Sequence, residues 1–151
     1  MERYSSPHAS IGEAFDLLQQ QADTLLEDYT YQAVKIGMTG SVAIIDFIAR
    51  LLEQLPGIPV ILDPVLAAEA GGSLTRESLA DAMLDRLAPH CEVMTPNLPE
   101  AQLLTGKDSV ADCGETLVQR TGRAALITGT HDTTEQVTNH LFTDSGEQAW
   151  Q

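Results

Sequence analysis

Apolar positions recur along this chain at two different spacings. From Ile11 to Asp28 they fall at Ile11, Phe15, Leu18, Ala22 and Leu25 or Leu26, the three-to-four spacing of one helix face. Residues 32–37 (QAVKIG) read as a short strand. Ser41 suits the N-cap of a helix whose apolar residues are Ile44, Ile45, Ile48, Leu51, Leu52 and Leu55, and Pro56-Gly57 ends it. Residues 58–62 are mostly apolar without alternation, as in a strand covered on both faces. A helix is predicted from Thr75, with Leu79, Met83, Leu84 and Leu87 on its stripe and Pro89 as its stop. Further strands are predicted at 91–95 and 124–128. Helices are predicted at 99–105 and 110–121, ended by Gly106 and Gly122.

Strand thus alternates with helix at intervals of about 30 residues, the pattern of βαβ units. Right-handed crossovers lay such strands side by side in a parallel sheet. After Gly129 the pattern changes to alternation over 136–142, a turn at Asp144-Ser145-Gly146 and a returning strand at 147–150. The fold class is α/β, a mainly parallel sheet with a C-terminal hairpin. The last strand ends on Trp150 with no helix after it, which suggests a polypeptide that once continued.

Composition narrows the setting. The 151 residues, 43% hydrophobic and 20% charged, fit one soluble domain over 1–151 with no interdomain linker. No apolar run approaches the roughly 18 residues of a membrane helix, and the first ten residues lack the apolar core of a secretory signal. Cys91 and Cys113 have no metal-binding spacing. A reduced, cytoplasmic protein with no membrane partner is expected.

Eight Lys and Arg face 22 Asp and Glu, a net charge of −14. The average surface repels a polyanion, which excludes nucleic acid as a partner. Lys35 and Lys107 are the two lysines, so a phosphate ligand would rest on backbone amides and helix N-termini, or the missing cations lie elsewhere. The acidity also matches a salt-rich cell interior, where self-repulsion is screened.

Candidate chemistry collects at the strand ends: Gly37-Met38-Thr39-Gly40, Asp63-Pro64, Thr95-Pro96-Asn97 and Thr128-Gly129-Thr130-His131. In an open α/β sheet the ligand lies outside the carboxyl ends of the strands. Asn97 and Glu100 have the spacing of a capping box, with Pro99 suited to the first turn. The same carboxylate and amide could order Mg²⁺ through water. Pro64 disfavours helix at Asp63 and keeps its carboxylate at the strand tip, to bond loop amides or to act electrostatically beside phosphate. Gly71-Gly72 reads as a flexible loop or a lid. His131 reads as a loop hydrogen-bonder, Lys35 as a snorkelling or paired cation, and Cys113 as packing.

Four blocks in order are recognisable together: VKIGMTGS at 34–41, PVILDPV at 59–65, TPNLPEA at 95–101 and LITGTH at 126–131. They resemble the bacterial hydroxymethylpyrimidine/phosphomethylpyrimidine kinases of thiamine biosynthesis, in the ribokinase-like superfamily. The resemblance covers about residues 32–150. It implies a three-layer αβα fold and transfer of the ATP γ-phosphate to 4-amino-5-hydroxymethyl-2-methylpyrimidine and then to its monophosphate. It implies that Met38 and Val65 line the pyrimidine pocket and that Asp63, Asn97 and Glu100 surround the Mg²⁺-ATP phosphates, with Asp63 and Glu100 toward the metal. Thr128 and Gly129 would face the nucleotide.

The chain departs from the family pattern in several places. Ala67-Ala68-Glu69-Ala70-Gly71-Gly72 stands where many members read AKSGD, and Thr128 stands where many carry a lysine. The family's first strand with its glycine-rich pyrimidine-binding segment, and its G-[ST]-G-C anion-hole segment, have no match here, so no catalytic residue is assigned within the chain. The expectation is a partial kinase domain, inactive alone and prone to homo-oligomerise through uncovered sheet edges. The other expectation is a non-catalytic nucleotide-binding or interaction module.

Overall fold

The computed structural model describes residues 11–66, 73–129 and 137–151. They form two compact units, one ending at Tyr31 and the other Gln32–Gln151. The first holds α1 (Ile11–Asp28), as the apolar spacing predicts. Its last turn is closed by Leu25 O, which accepts from Tyr29 N at 3.1 Å and from Tyr31 Oη at 3.0 Å.

The second unit is a six-stranded sheet with its strands in chain order. Strands β1 (Val34–Ile36), β2 (Val60–Leu62), β3 (Val93–Met94) and β4 (Ala124–Ile127) are parallel. Strands β5 (Asn139–Thr143) and β6 (Gly146–Trp150) add antiparallel, as the hairpin reading expects. The parallel strands are shorter than their apolar runs. Pro59 and Pro64 bracket β2 and Pro96 follows β3, and a proline has no N–H to extend a ladder.

The helices start and stop largely where the sequence places them. Ser41 Oγ accepts from Ile44 N at 3.3 Å and opens α2 (Val42–Leu52). Gly106 and Gly122, with φ of +66° and +69°, end α4 (Leu98–Thr105) and α5 (Val110–Thr121). Helix α3 (Ser73–Ala82) begins before Thr75, and Pro89 does not end it cleanly. The chain widens into a π turn (Met83–Leu87) and tightens into a 3₁₀ turn (Ala88–His90) that contains Pro89. Met83, Leu84, Leu87 and Ala88 are all buried there while Asp85 and Arg86 stay outside. The change of pitch keeps four apolar residues on the core side as the helix meets the proline.

Strands in chain order with right-handed crossovers place α2, α3 and the α4–α5 pair on one face of the sheet. There α2 packs on the π turn, α3 on α4 and α4 on α5. The core lies between the layers, with Ile36, Leu62, Met94 and Ile127 from the sheet meeting Ile45, Leu87 and Leu117. By register, Lys35, Ile61, Val93, Leu126 and Leu141 point to the opposite face. None of them joins the buried cluster.

Candidate functional site

The carboxyl ends of β1 to β4 lie along one edge, and hydrogen bonds beyond the strands hold them together. Asp63 N donates to Ile36 O at 2.9 Å, Thr95 N to Leu62 O at 2.8 Å and Thr128 N to Pro96 O at 2.9 Å. An isolated parallel bridge joins Asn97 to Thr128. The edge therefore continues one residue past each ladder, into the residues that carry the chemistry.

Asn97 and Glu100 form a complete capping box. Asn97 Oδ1 accepts from Glu100 N at 2.9 Å, and Glu100 Oε2 accepts from Asn97 N at 3.0 Å. The second carboxylate oxygen, Oε1, accepts from Leu66 N at 3.4 Å. Glu100 thus does more than cap α4, because it ties the segment after β2 to the start of that helix. Val65, beside Leu66, is half-buried at this junction.

Asp63 sits at the tip of β2, where Pro64 keeps it out of helical geometry. Its Oδ2 accepts from Lys35 Nζ at 3.0 Å. Lys35 is exposed on the edge strand and paired, in line with the paired-cation reading of the sequence. Met38, in the loop after β1, is 65% exposed, so its thioether is open to contact. Its neighbour Thr39 is buried, and Thr39 Oγ1 has no hydrogen-bond partner among the described residues. Gly129 has a packing reason, since a Cβ there would collide with the Thr138 carbonyl. Thr128 and Gly129 also line a cleft of about 140 Å³ beside the end of β4.

The sequence-derived residues therefore form two linked groups. Asn97, Glu100, Thr128 and Gly129 gather at the ends of β3 and β4, while Asp63, Lys35, Met38 and Val65 gather at the ends of β1 and β2. The Glu100–Leu66 bond joins the groups. The Gly71-Gly72 pair, residues 67–70, Thr130 and His131 lie outside the described residues. No motif marks Lys35 as the partner of Asp63, or His140, which lines the cleft and bonds to Glu147. The only available signal for His140 is hairpin register, which puts positions 140 and 147 on one face of the sheet.

Magnesium is testable against this donor set. Among the described residues, no group of three His, Cys, Asp or Glu side chains is arranged to hold a metal ion. Each Glu100 oxygen already accepts one amide, and Asp63 Oδ2 takes an ammonium. The lone pairs that remain suit water-mediated contact. That fits Mg²⁺, which keeps several waters and takes phosphates with one or two carboxylates.

Residues 10–151 match the family model described as phosphomethylpyrimidine kinase. The chain belongs to the phosphomethylpyrimidine kinase family. Among this family, it is 34% identical over 136 residues to the hydroxymethylpyrimidine/phosphomethylpyrimidine kinase of Bacillus subtilis, which covers 86% of this chain and 50% of that protein. It is 38% identical over 116 residues to a thiamine biosynthesis multifunctional protein of Corynebacterium glutamicum, covering 77% of this chain and 14% of that protein. The phosphomethylpyrimidine kinase structure from Clostridium difficile superposes with a TM-score of 0.75 at 27% identity, over 89% of this chain and 60% of that one. An ADP complex of Bacillus subtilis pyridoxal kinase gives 0.79 at 26% identity, over 89% and 53%. These neighbours bear out the α/β, ribokinase-like fold class. The chain spans about half the length of the curated phosphomethylpyrimidine kinase relatives, 50% for the Bacillus protein.

Proposed function

We propose that this chain carries the strand-end site of an ATP-dependent hydroxymethylpyrimidine and phosphomethylpyrimidine kinase of thiamine biosynthesis, acting in the cytoplasm. The observation that carries the reading is the Glu100 carboxylate, which links the Asp63 group to the Asn97–Thr128 group. In this reading Met38 and Val65 contact the pyrimidine ring. Asn97, Thr128 and Gly129 hold the nucleotide phosphates through amide and hydroxyl donors. Asp63 and Glu100 orient waters around Mg²⁺, and the ion when bound neutralises phosphate charge. Lys35 keeps the Asp63 carboxylate at the strand tip.

One observation favours a second reading, a non-catalytic nucleotide-binding module. Lys35 is the one cationic side chain bonded to the site among the described residues, and Asp63 already engages it. Phosphoryl transfer depends on positioning and charge neutralisation, so a site poor in free cations favours binding over turnover.

Calorimetric titration with Mg-ADP, beside a coupled assay with ATP and 4-amino-5-hydroxymethyl-2-methylpyrimidine, separates these readings. Binding with turnover supports the kinase, binding without turnover supports the module, and absence of both removes the two together.

A further inference from the structure

The four residues after β1, Gly37-Met38-Thr39-Gly40, hold two side chains in unfavourable places. Met38 is 65% exposed, an unbranched apolar side chain left in water. Thr39 is 6% exposed, and its Oγ1 has no hydrogen-bond partner. Among the described residues it is the one buried side-chain oxygen or nitrogen in that condition. A buried hydroxyl without a partner loses its hydration uncompensated, so a valine of the same shape would suit the position better. An orphaned polar group of this kind calls for an explanation.

The backbone around the pair has room to turn. Glycines stand on both sides, and a Cβ at Gly37 or Gly40 would meet nothing within 4 Å. Ser41 N donates to Thr39 O at 2.9 Å, which closes a three-residue turn on Gly40 at a φ of +70°. That φ belongs to the rarer, strained form of the γ-turn. Beyond the glycines both ends are anchored. Ile36 O accepts from Asp63 N at 2.9 Å, and Ser41 Oγ caps α2 by accepting from Ile44 N at 3.3 Å. A rearrangement is thereby confined to Met38, Thr39 and the two glycines.

We propose that Thr39 is a positioning residue for Met38. Successive side chains of an extended segment face opposite ways, so a turn that brings Met38 in carries Thr39 out. Burial of the unpaired hydroxyl raises the free energy of the arrangement with Met38 in solvent. It thereby lowers the cost of turning Met38 onto a flat ring at the strand ends, where the hydroxyl leaves its apolar surroundings. A residue that does not touch the ligand changes its affinity in this way, through the difference between two arrangements. The inference rests on the reading of Met38 as a ring contact and adds what drives it there.

The test compares wild type, Thr39→Val and Thr39→Ser in the whole 151-residue chain. Each is melted, then titrated by calorimetry with 4-amino-5-hydroxymethyl-2-methylpyrimidine. The ¹³C methyl signal of Met38, assigned against Met38→Leu, reports where that side chain goes. In wild type the ring should shift the Met38 signal. Thr39→Val should melt about 2–4 °C higher and bind the ring about fivefold more weakly, the same free energy read twice. Thr39→Ser keeps the hydroxyl and loses a methyl, so it should melt lower than wild type and still bind within about twofold of it. A merely structural residue would move affinity and stability in the same direction. The proposal is overturned if Thr39→Val melts no higher than wild type, if it binds the ring as tightly, if Thr39→Ser binds as weakly as Thr39→Val, or if the ring binds without shifting Met38. Ring binding by wild type that persists through any of those results leaves the kinase reading standing while the role of Thr39 falls. A folded wild type that binds no ring removes the Met38 contact of that reading, and this inference with it.

Discussion

Glu100 shows how one side chain can hold two segments of a fold together. Its oxygens accept amides from Asn97 and Leu66, so removing the carboxylate frees both. Glu100→Ala is expected to cost about 0.5–2 kcal/mol, the range for a lost N-cap, read by chemical melts. Glu100→Gln retains one acceptor and should cost less. If the carboxylate also orders waters around magnesium, Gln should weaken Mg-ADP binding more than metal-free ADP binding. Equal weakening of both would confine Glu100 to its cap. Cys91 is the opposite case, a group with structure and no chemistry. Its thiol donates to Leu87 O at 3.1 Å, and burial pushes its pKa up from 9.0 to about 12. Because the folded state holds this proton more tightly, the stabilisation is complete below about pH 9 and is lost as pH rises toward about 12. Urea melts from pH 8 to 11 should show a steeper fall for the wild type than for Cys91→Ala. Parallel curves would sink this account.

Among the elements, the sheet and its helices were legible because each carries one clear period, two for strands and 3.6 for helices. The hairpin was legible from its turn residues. The π turn at Met83–Leu87 was not, because its apolar residues satisfy an ordinary helical stripe equally well, and only the packing of Leu87 and Ala88 selects the wider pitch. The strand-end residues of the site could be read from their motifs. The Lys35–Asp63 pair could not, since it depends on the distance between neighbouring strands. The same holds for the contact between α5 and the hairpin. Gly114 is buried in α5, and a Cβ there would run into the Phe142 ring of β5. Gly114→Ala should therefore destabilise the protein by about 1–3 kcal/mol through overpacking, although alanine is the better helix former. A thermal melt equal to or above wild type would show that Phe142 moves aside freely.

For the whole molecule, the charge of −14 and the apolar residues on the sheet face opposite α2 to α5 act in opposite directions. By register Ile61, Val93, Leu126 and Leu141 form an apolar band on the face that also carries Lys35. The carboxylates repel a second copy, and the band attracts one. Raising NaCl from about 0.05 to 1 M shrinks the screening length from over 10 Å to about 3 Å. The melting temperature and the dimer fraction should therefore rise together, measured by thermal melts and light scattering. Leu126→Lys should suppress the dimer at high salt. A species that stays monomeric throughout would show that the band does not drive self-association.

The order of the strands has a consequence for synthesis. Each of β2 to β6 pairs with the strand made just before it, so each of these five leaves the ribosome to find a neighbour already waiting. Among the described strands, none waits for a partner encoded later than the next strand, and each intervening helix closes over the pair it connects. Such a chain can grow its sheet one register at a time, at the pace of translation. The growing edge is then always the newest strand, the one nearest the tunnel.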